Sequence, residues 1–259
     1  MNEYRKYFKN NKQLLMRLEE LHNKKYTIKK LIDSQTSIEP FITEFSGLPR
    51  TGKSSSLVRV YDFFKHANIK IERTTEPAQI IKDSMSKEAV SKMTNLEFNN
   101  KTLDVSKEEL NRKISQKPAI IIQDRGVIDN YFWYQMMYEE KKISDEFYEQ
   151  ILLKLYQDLV NIDQLFILFA DPEIIIFRDY INQIYLEDRK KTTIERVIQL
   201  RTGFEHLLPL IEGKMSEKNL VKLDTSNIGE IETSIFIADK MMDGVYSKIL
   251  CKSKYPKNK

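Results

Sequence analysis

The chain has 259 residues, 41% of them hydrophobic and 31% charged, with a net charge of +4. That is enough to bury a full core, and a charge this small does not by itself imply a nucleic-acid partner. No run of eighteen apolar residues exists, the first residues lack the apolar stretch of a secretory signal, and the single cysteine, Cys251, cannot form an internal disulfide. A reducing cytoplasm and no membrane partner are the expectation.

Residues 1–37 read as a basic helical arm. Tyr4, Phe8, Leu14, Leu15, Leu18 and Leu21 fall near helical spacing, and Ile28, Leu31 and Ile32 continue the apolar face as a second short helix. Lysines and arginines outnumber acids in the arm, and the 251–259 tail adds Lys252, Lys254, Lys257 and Lys259 with no acid. Solvated ends explain this most simply, with a nucleic-acid or acidic-partner surface as the alternative. Residues 38–250 are assigned to one domain.

That domain opens with an apolar strand, Phe41–Phe45. Gly47-Leu-Pro-Arg-Thr-Gly-Lys-Ser54 follows, and then a helix to about His66. The spacing is that of the Walker A loop, G-x-x-x-x-G-K-[ST], and strand–loop–helix is the context the motif requires. Gly47 and Gly52 let the backbone approach an anion. Leu48, Pro49, Arg50, Thr51 and Ser55 complete the phosphate-binding stretch. Lys53 is expected on the β- and γ-phosphates of ATP, and the Ser54 hydroxyl on Mg²⁺.

A short strand is expected at Ile69–Glu72. Pro77 biases Glu76 toward extended backbone, so Arg73 and Glu76 lie in a loop at the carboxyl end of a strand, where ligands bind in open parallel sheets. Residues 79–117 read as helical pieces, with Ser106-Lys-Glu-Glu109 fitting a capping box. Ala119–Gln123 is a buried parallel strand by its continuous apolar run. Asp124 at its tip suits Mg²⁺, and Arg125 offers a rigid fork for phosphate. Asp129 follows closely. Residues 127–139 form an aromatic helix from which Phe132 or Trp133 is a candidate to stack on a planar ligand.

Ser144 caps a helix over 145–160, Gln164–Phe169 is the next strand, and Asp171-Pro-Glu173 starts a further helix. Arg178 and Glu187-Asp-Arg-Lys-Lys191 form a lid-like segment over about 178–192, from which Arg178 and Arg189, with Lys190 or Lys191, are the catalytic candidates that would meet the transferring charge. After a helix over 194–213, a strand at Asn219–Asp224 leads to Thr225-Ser-Asn227, a candidate border for a base. A terminal helix covers 229–250.

Over residues 40–228 the sequence resembles the thymidylate-kinase-like and deoxynucleoside-kinase-like branch of P-loop kinases. Gly47-Leu-Pro-Arg-Thr-Gly-Lys53, Glu76-Pro77, Asp124-Arg-Gly-Val-Ile-Asp129 and Pro172-Glu173 with Arg178 carry the likeness. It implies an α/β fold with a five-stranded parallel sheet and helices on both faces. It also implies Glu76 as base toward a sugar hydroxyl, Arg125 as a grip on the acceptor, and often a homodimer through helices. The basic arm and the long 79–117 stretch are additions, and Gly126 stands where the family usually has serine or threonine. A kinase for a nucleoside or nucleoside monophosphate is the leading expectation. A nucleic-acid end or another metabolite as acceptor, and a regulatory ATPase with a macromolecular partner, remain alternatives.

Overall fold

A computed structural model describes residues 12–35, 39–183 and 192–254. The expectations on Tyr4 and Phe8, on Arg189, Lys190 and Lys191, and on the end of the basic tail lie outside the described residues.

Five strands, β1 (Phe41–Gly47), β2 (Ile71–Arg73), β3 (Ile120–Asp124), β4 (Gln164–Phe169) and β5 (Leu220–Asp224), form one parallel sheet in the order β2-β3-β1-β4-β5. Every residue of β1 and β3 is buried, as expected for central parallel strands covered on both faces. Because side chains alternate along a strand, Phe41, Phe45, Ile120, Ile122, Phe166 and Leu168 enter one core. Ile42, Ile121, Leu165 and Ile167 enter the other.

The first core is closed by α1 (Lys12–Asp33), α2 (Lys53–Lys65) and α10 (Glu230–Lys254). Phe45 and Phe166 stack there with ring centres 4.7 Å apart, each burial worth roughly 2–3 kcal/mol. The second is closed by α5 (Asn95–Ser115), α6 (Val127–Glu139), α7 (Asp145–Leu159) and α9 (Ile194–Glu212). Between β2 and α5 run two short helices, α3 (Pro77–Ser84) and α4 (Lys87–Ser91), and α8 (Pro172–Gln183) follows β4.

Several expectations need correcting. Among the described residues of the N-terminal arm, Lys12–Asp33 is one continuous helix, with no break before Ile28 and Ile32. It lies along α10, where the Lys24 ammonium meets Asp239 at 2.6 Å and Asp243 at 2.5 Å. The Ser106–Glu109 signature starts no helix. Thr94 and Glu97 form the capping box of α5, and Ser106 lies twelve residues inside, its hydroxyl donating to the Thr102 carbonyl at 2.7 Å. Glu109 is drawn to Arg112 instead of reaching back. β2 begins two residues later than expected. Asn68 takes φ 56°, and the Ile69 amide is still bound to the Phe64 carbonyl at the end of α2. β1 runs on to Gly47 because the Leu48 amide still bonds the Leu168 carbonyl of β4 at 3.0 Å.

Candidate functional site

The site lies at the carboxyl ends of the strands and is built around residues 47–54. Gly47 has φ +126°, and a Cβ there would stand 2.2 Å from the Leu168 carbonyl oxygen, so β4 itself excludes a side chain. Leu48 is buried in the core and anchors the loop, while Pro49 faces the adjoining cleft. Arg50 is also left-handed, with φ 58°. Gly52, φ 85°, is the N-cap of α2, whose first-turn amides and positive end make an anion site.

Lys53 is buried under this loop. Its ammonium donates to the Gly47 carbonyl at 2.9 Å, to the Leu48 carbonyl, and to the Thr51 hydroxyl at 3.3 Å. Burial, helped by the Arg125 charge, holds its pKa well below the ordinary lysine range, against the pull of Asp129, Asp124 and Glu76. Those four partners therefore lie within electrostatic reach of the ammonium. Ser54 and Ser55 are exposed at the start of α2.

Two loops face this lysine, β2–α3 and β3–α6. Arg73 ends β2 and donates to Asp124 Oδ2 at 2.7 Å. Glu76, the N-cap residue of α3, stands 3.5 Å from Arg125 Nε. Arg125 has φ 54°, a costly conformation for a side chain of this kind, and reaches Asp129 at 3.1 Å. Asp129 also accepts from the Ser46 hydroxyl at 2.5 Å.

Below them lies Glu44, which the sequence reading passed over. It is fully buried in β1 and accepts from the amides of Ile128 at 3.0 Å and Asp129 at 2.8 Å, at the start of α6. Burial, with repulsion from Asp129 and Asp158, pushes its pKa up to about 8 although the two amides pull it down. The signal was present: a charged residue inside a short strand run that carries Phe41, Ile42 and Phe45.

Arg178 is turned onto the loop. It donates to the Arg50 carbonyl at 3.2 Å, and to the hydroxyl and carbonyl of Thr225 at 3.1 and 2.6 Å. Arg50 in turn binds the buried Asp179 at 2.7 Å. These bonds join α8, the 47–54 loop and the end of β5, where Thr225-Ser-Asn227 sits.

A cleft of about 450 Å³ opens from Gly47 and Pro49 past Glu76 and Arg125 toward α5, α6 and α9. Phe132 and Trp133 both line it. Phe132 packs against Phe204 and is buried, whereas Trp133 is 38% exposed with the Arg196 guanidinium 5.9 Å from its ring. Asn99, Asn130 and Lys82 are lining residues that sequence reasoning missed, since polar helix positions carry no spacing signal. Asn99 donates to the Asn130 carbonyl at 3.1 Å, and Asn130 to the Gly126 carbonyl at 2.9 Å.

The donors suit Mg²⁺. Ser54 and Asp124 could supply oxygen ligands; Arg73 takes Asp124 Oδ2, which leaves the second carboxylate oxygen for a cation. One carboxylate, a hydroxyl, phosphate oxygens and water are an ordinary magnesium set. Arg189 is outside the described residues.

No protein-family profile matches the sequence, and no curated protein matches it. Among solved structures, a deoxyadenosine kinase from M. mycoides with bound dATP superposes with a TM-score of 0.50 and 16% identity, covering 78% of this chain and 99% of its own. At that identity the likeness is one of architecture: the chain shares that structure's α/β fold, a five-stranded parallel sheet with helices, and carries a helix before the first strand.

Proposed function

We propose that this protein is an ATP- and Mg²⁺-dependent phosphotransferase that moves the γ-phosphoryl group to a nucleoside or nucleoside monophosphate. The observation that carries the reading is that Glu76 and Arg125 line the same cleft into which Gly47 and Pro49 open, so acceptor groups and donor loop share one space. The likeness in fold to a deoxyadenosine kinase supports it.

In this reading the amides of Gly52, Lys53, Ser54 and Ser55 and the Lys53 ammonium hold the donor phosphates, with Lys53 exchanging loop carbonyls for phosphate oxygens. Ser54 and Asp124 hold Mg²⁺, which neutralises charge on the phosphates. Glu76 orients the acceptor hydroxyl and takes its proton, a role its position beside Arg125 allows. Arg125 grips the acceptor, held by the Asp129 carboxylate. Trp133 offers its ring to a base. Arg178 keeps Arg50 and Thr225 in place on the donor side, and Arg189, with Lys190 or Lys191, is assigned to the transferring charge on sequence pattern alone. The single cysteine supports a reducing cytoplasm as the compartment.

The test is turnover of ATP and Mg²⁺ against nucleosides, nucleoside monophosphates and 5′-hydroxyl oligonucleotides, with Lys53→Ala as blank. A phosphorylated nucleoside or nucleotide formed in step with ADP, and absent from the blank, is the expected result. Hydrolysis with no phosphorylated acceptor refutes the proposal.

A further inference from the structure

The β2–α3 and β3–α6 loops are joined by two ion pairs of opposite polarity. Arg73, positive, meets Asp124, negative, at 2.7 Å. Three residues along the first loop and one along the second the signs reverse: Glu76, negative, meets Arg125, positive, at 3.5 Å. The two loops therefore hold each other through the groups that the proposed function gives to the cation, to the acceptor hydroxyl and to the acceptor grip.

Arg73 is in none of those roles. It ends an edge strand whose register partner is Ile122, and the Thr74 amide bonds the Ile122 carbonyl at 2.9 Å, so the arginine leaves the sheet beside the tip of β3. Its guanidinium is about one-third exposed, whereas Asp124 is nearly closed off. A bound cation at Asp124 and the guanidinium at Asp124 Oδ2 are like charges on one small carboxylate, and each weakens the other.

We propose that Arg73 is a positioning residue that competes with the divalent cation for Asp124, so that cation binding loosens the 73–78 loop and frees Glu76 for the acceptor. The inference rests on the phosphotransferase reading of the site. Before the cation arrives, Arg73 neutralises Asp124 and Arg125 neutralises Glu76, which keeps the two loops together. When Asp124 turns to the cation, the first of the two pairs weakens. The loop that carries Glu76 then keeps its backbone bond through the Thr74 amide but loses one of its two ion pairs to the β3–α6 loop. Order of events follows: the charged donor with its cation precedes the productive placement of Glu76.

The experiment measures Mn²⁺ binding with a non-hydrolysable ATP analogue by calorimetry, together with amide hydrogen exchange over residues 73–78. Arg73→Gln removes the competing charge and is expected to tighten Mn²⁺ about tenfold, a size reduced from the contact value by the exposure of the guanidinium. Arg73→Lys keeps the charge and is expected within about twofold of wild type. A purely structural arginine would give Arg73→Gln an affinity equal to or weaker than wild type, and that result overturns the inference. In the wild type, adding Mn²⁺ and the analogue is expected to speed exchange at 73–78. This arm needs no variant, so it decides the matter even if Arg73→Gln does not fold, and unchanged or slower exchange overturns the inference. A wild type that binds neither the analogue nor Mn²⁺ refutes the phosphotransferase reading itself, and the inference with it.

Discussion

Glu44 makes the stability of this protein depend on pH in a direction opposite to that of a paired surface carboxylate. In the folded chain its pKa is about 8, against an ordinary 4.5. A carboxyl raised in the folded state contributes its full share below the unfolded value and loses it as pH rises through the folded one, because the folded chain binds the extra proton. The window is therefore about pH 4.5 to 8. Over it the loss amounts to about 4–5 kcal/mol at ~1.4 kcal/mol per unit, for a group with no solvent contact to screen it. Glu44→Gln cannot ionise. Its amide nitrogen would face one of the two backbone N–H groups of Ile128 and Asp129, at a cost of about 1–3 kcal/mol. Urea unfolding of both proteins at pH 5, 6.5, 8 and 9 should then show curves that converge and cross. The variant is the weaker at pH 5 and equal or stronger at pH 9. Taking the difference cancels other titrating groups, including Asp224 and Glu109, whose carboxyls are held low by partners and act below the window. A constant difference across the four pH values would refute the reasoning.

Three further outcomes follow from the same geometry. Gly47→Ala meets both a left-handed backbone and the Leu168 carbonyl, and should cost about 4 kcal/mol or more, whereas Gly52→Ala has open space around its Cβ and should cost only about 1–2 kcal/mol; thermal unfolding of the pair checks this. Thr94→Ala removes the capping box of α5 and should cost about 1 kcal/mol by urea unfolding, while Ser106→Ala should leave the start of the helix untouched. Trp133→Ala should raise the acceptor KM about tenfold with kcat nearly constant, because an exposed ring at the cleft wall contributes to binding alike in ground and transition states; equal losses in kcat would refute that role.

Much of the architecture was legible in the residue order. Gly47, Gly52, Lys53 and Ser54 lie within eight residues, and their spacing alone implies a strand, a tight loop and a helix end. The runs Ala119–Gln123 and Gln164–Phe169 read as buried strands because parallel strands are apolar on both faces. Local chemistry also gave Ser144 as a cap, which accepts from the Phe147 amide. It misled at Ser106, because a capping signature is also a permitted helix interior, and the decision fell to Thr94 and to the buried face that runs on past it. Only the tertiary structure decided which charges face one another. Arg73 and Asp124 are 51 residues apart, and Glu44 lies 84 and 85 residues from the amides it binds. No local pattern encodes such a pairing, since it depends on strand order and register, which place β3 between β1 and β2 and bring three strand ends to one edge of the sheet. The phosphate loop is a local property of the chain; the environment that depresses Lys53, raises Glu44 and crosses the two ion pairs is a property of the assembled sheet.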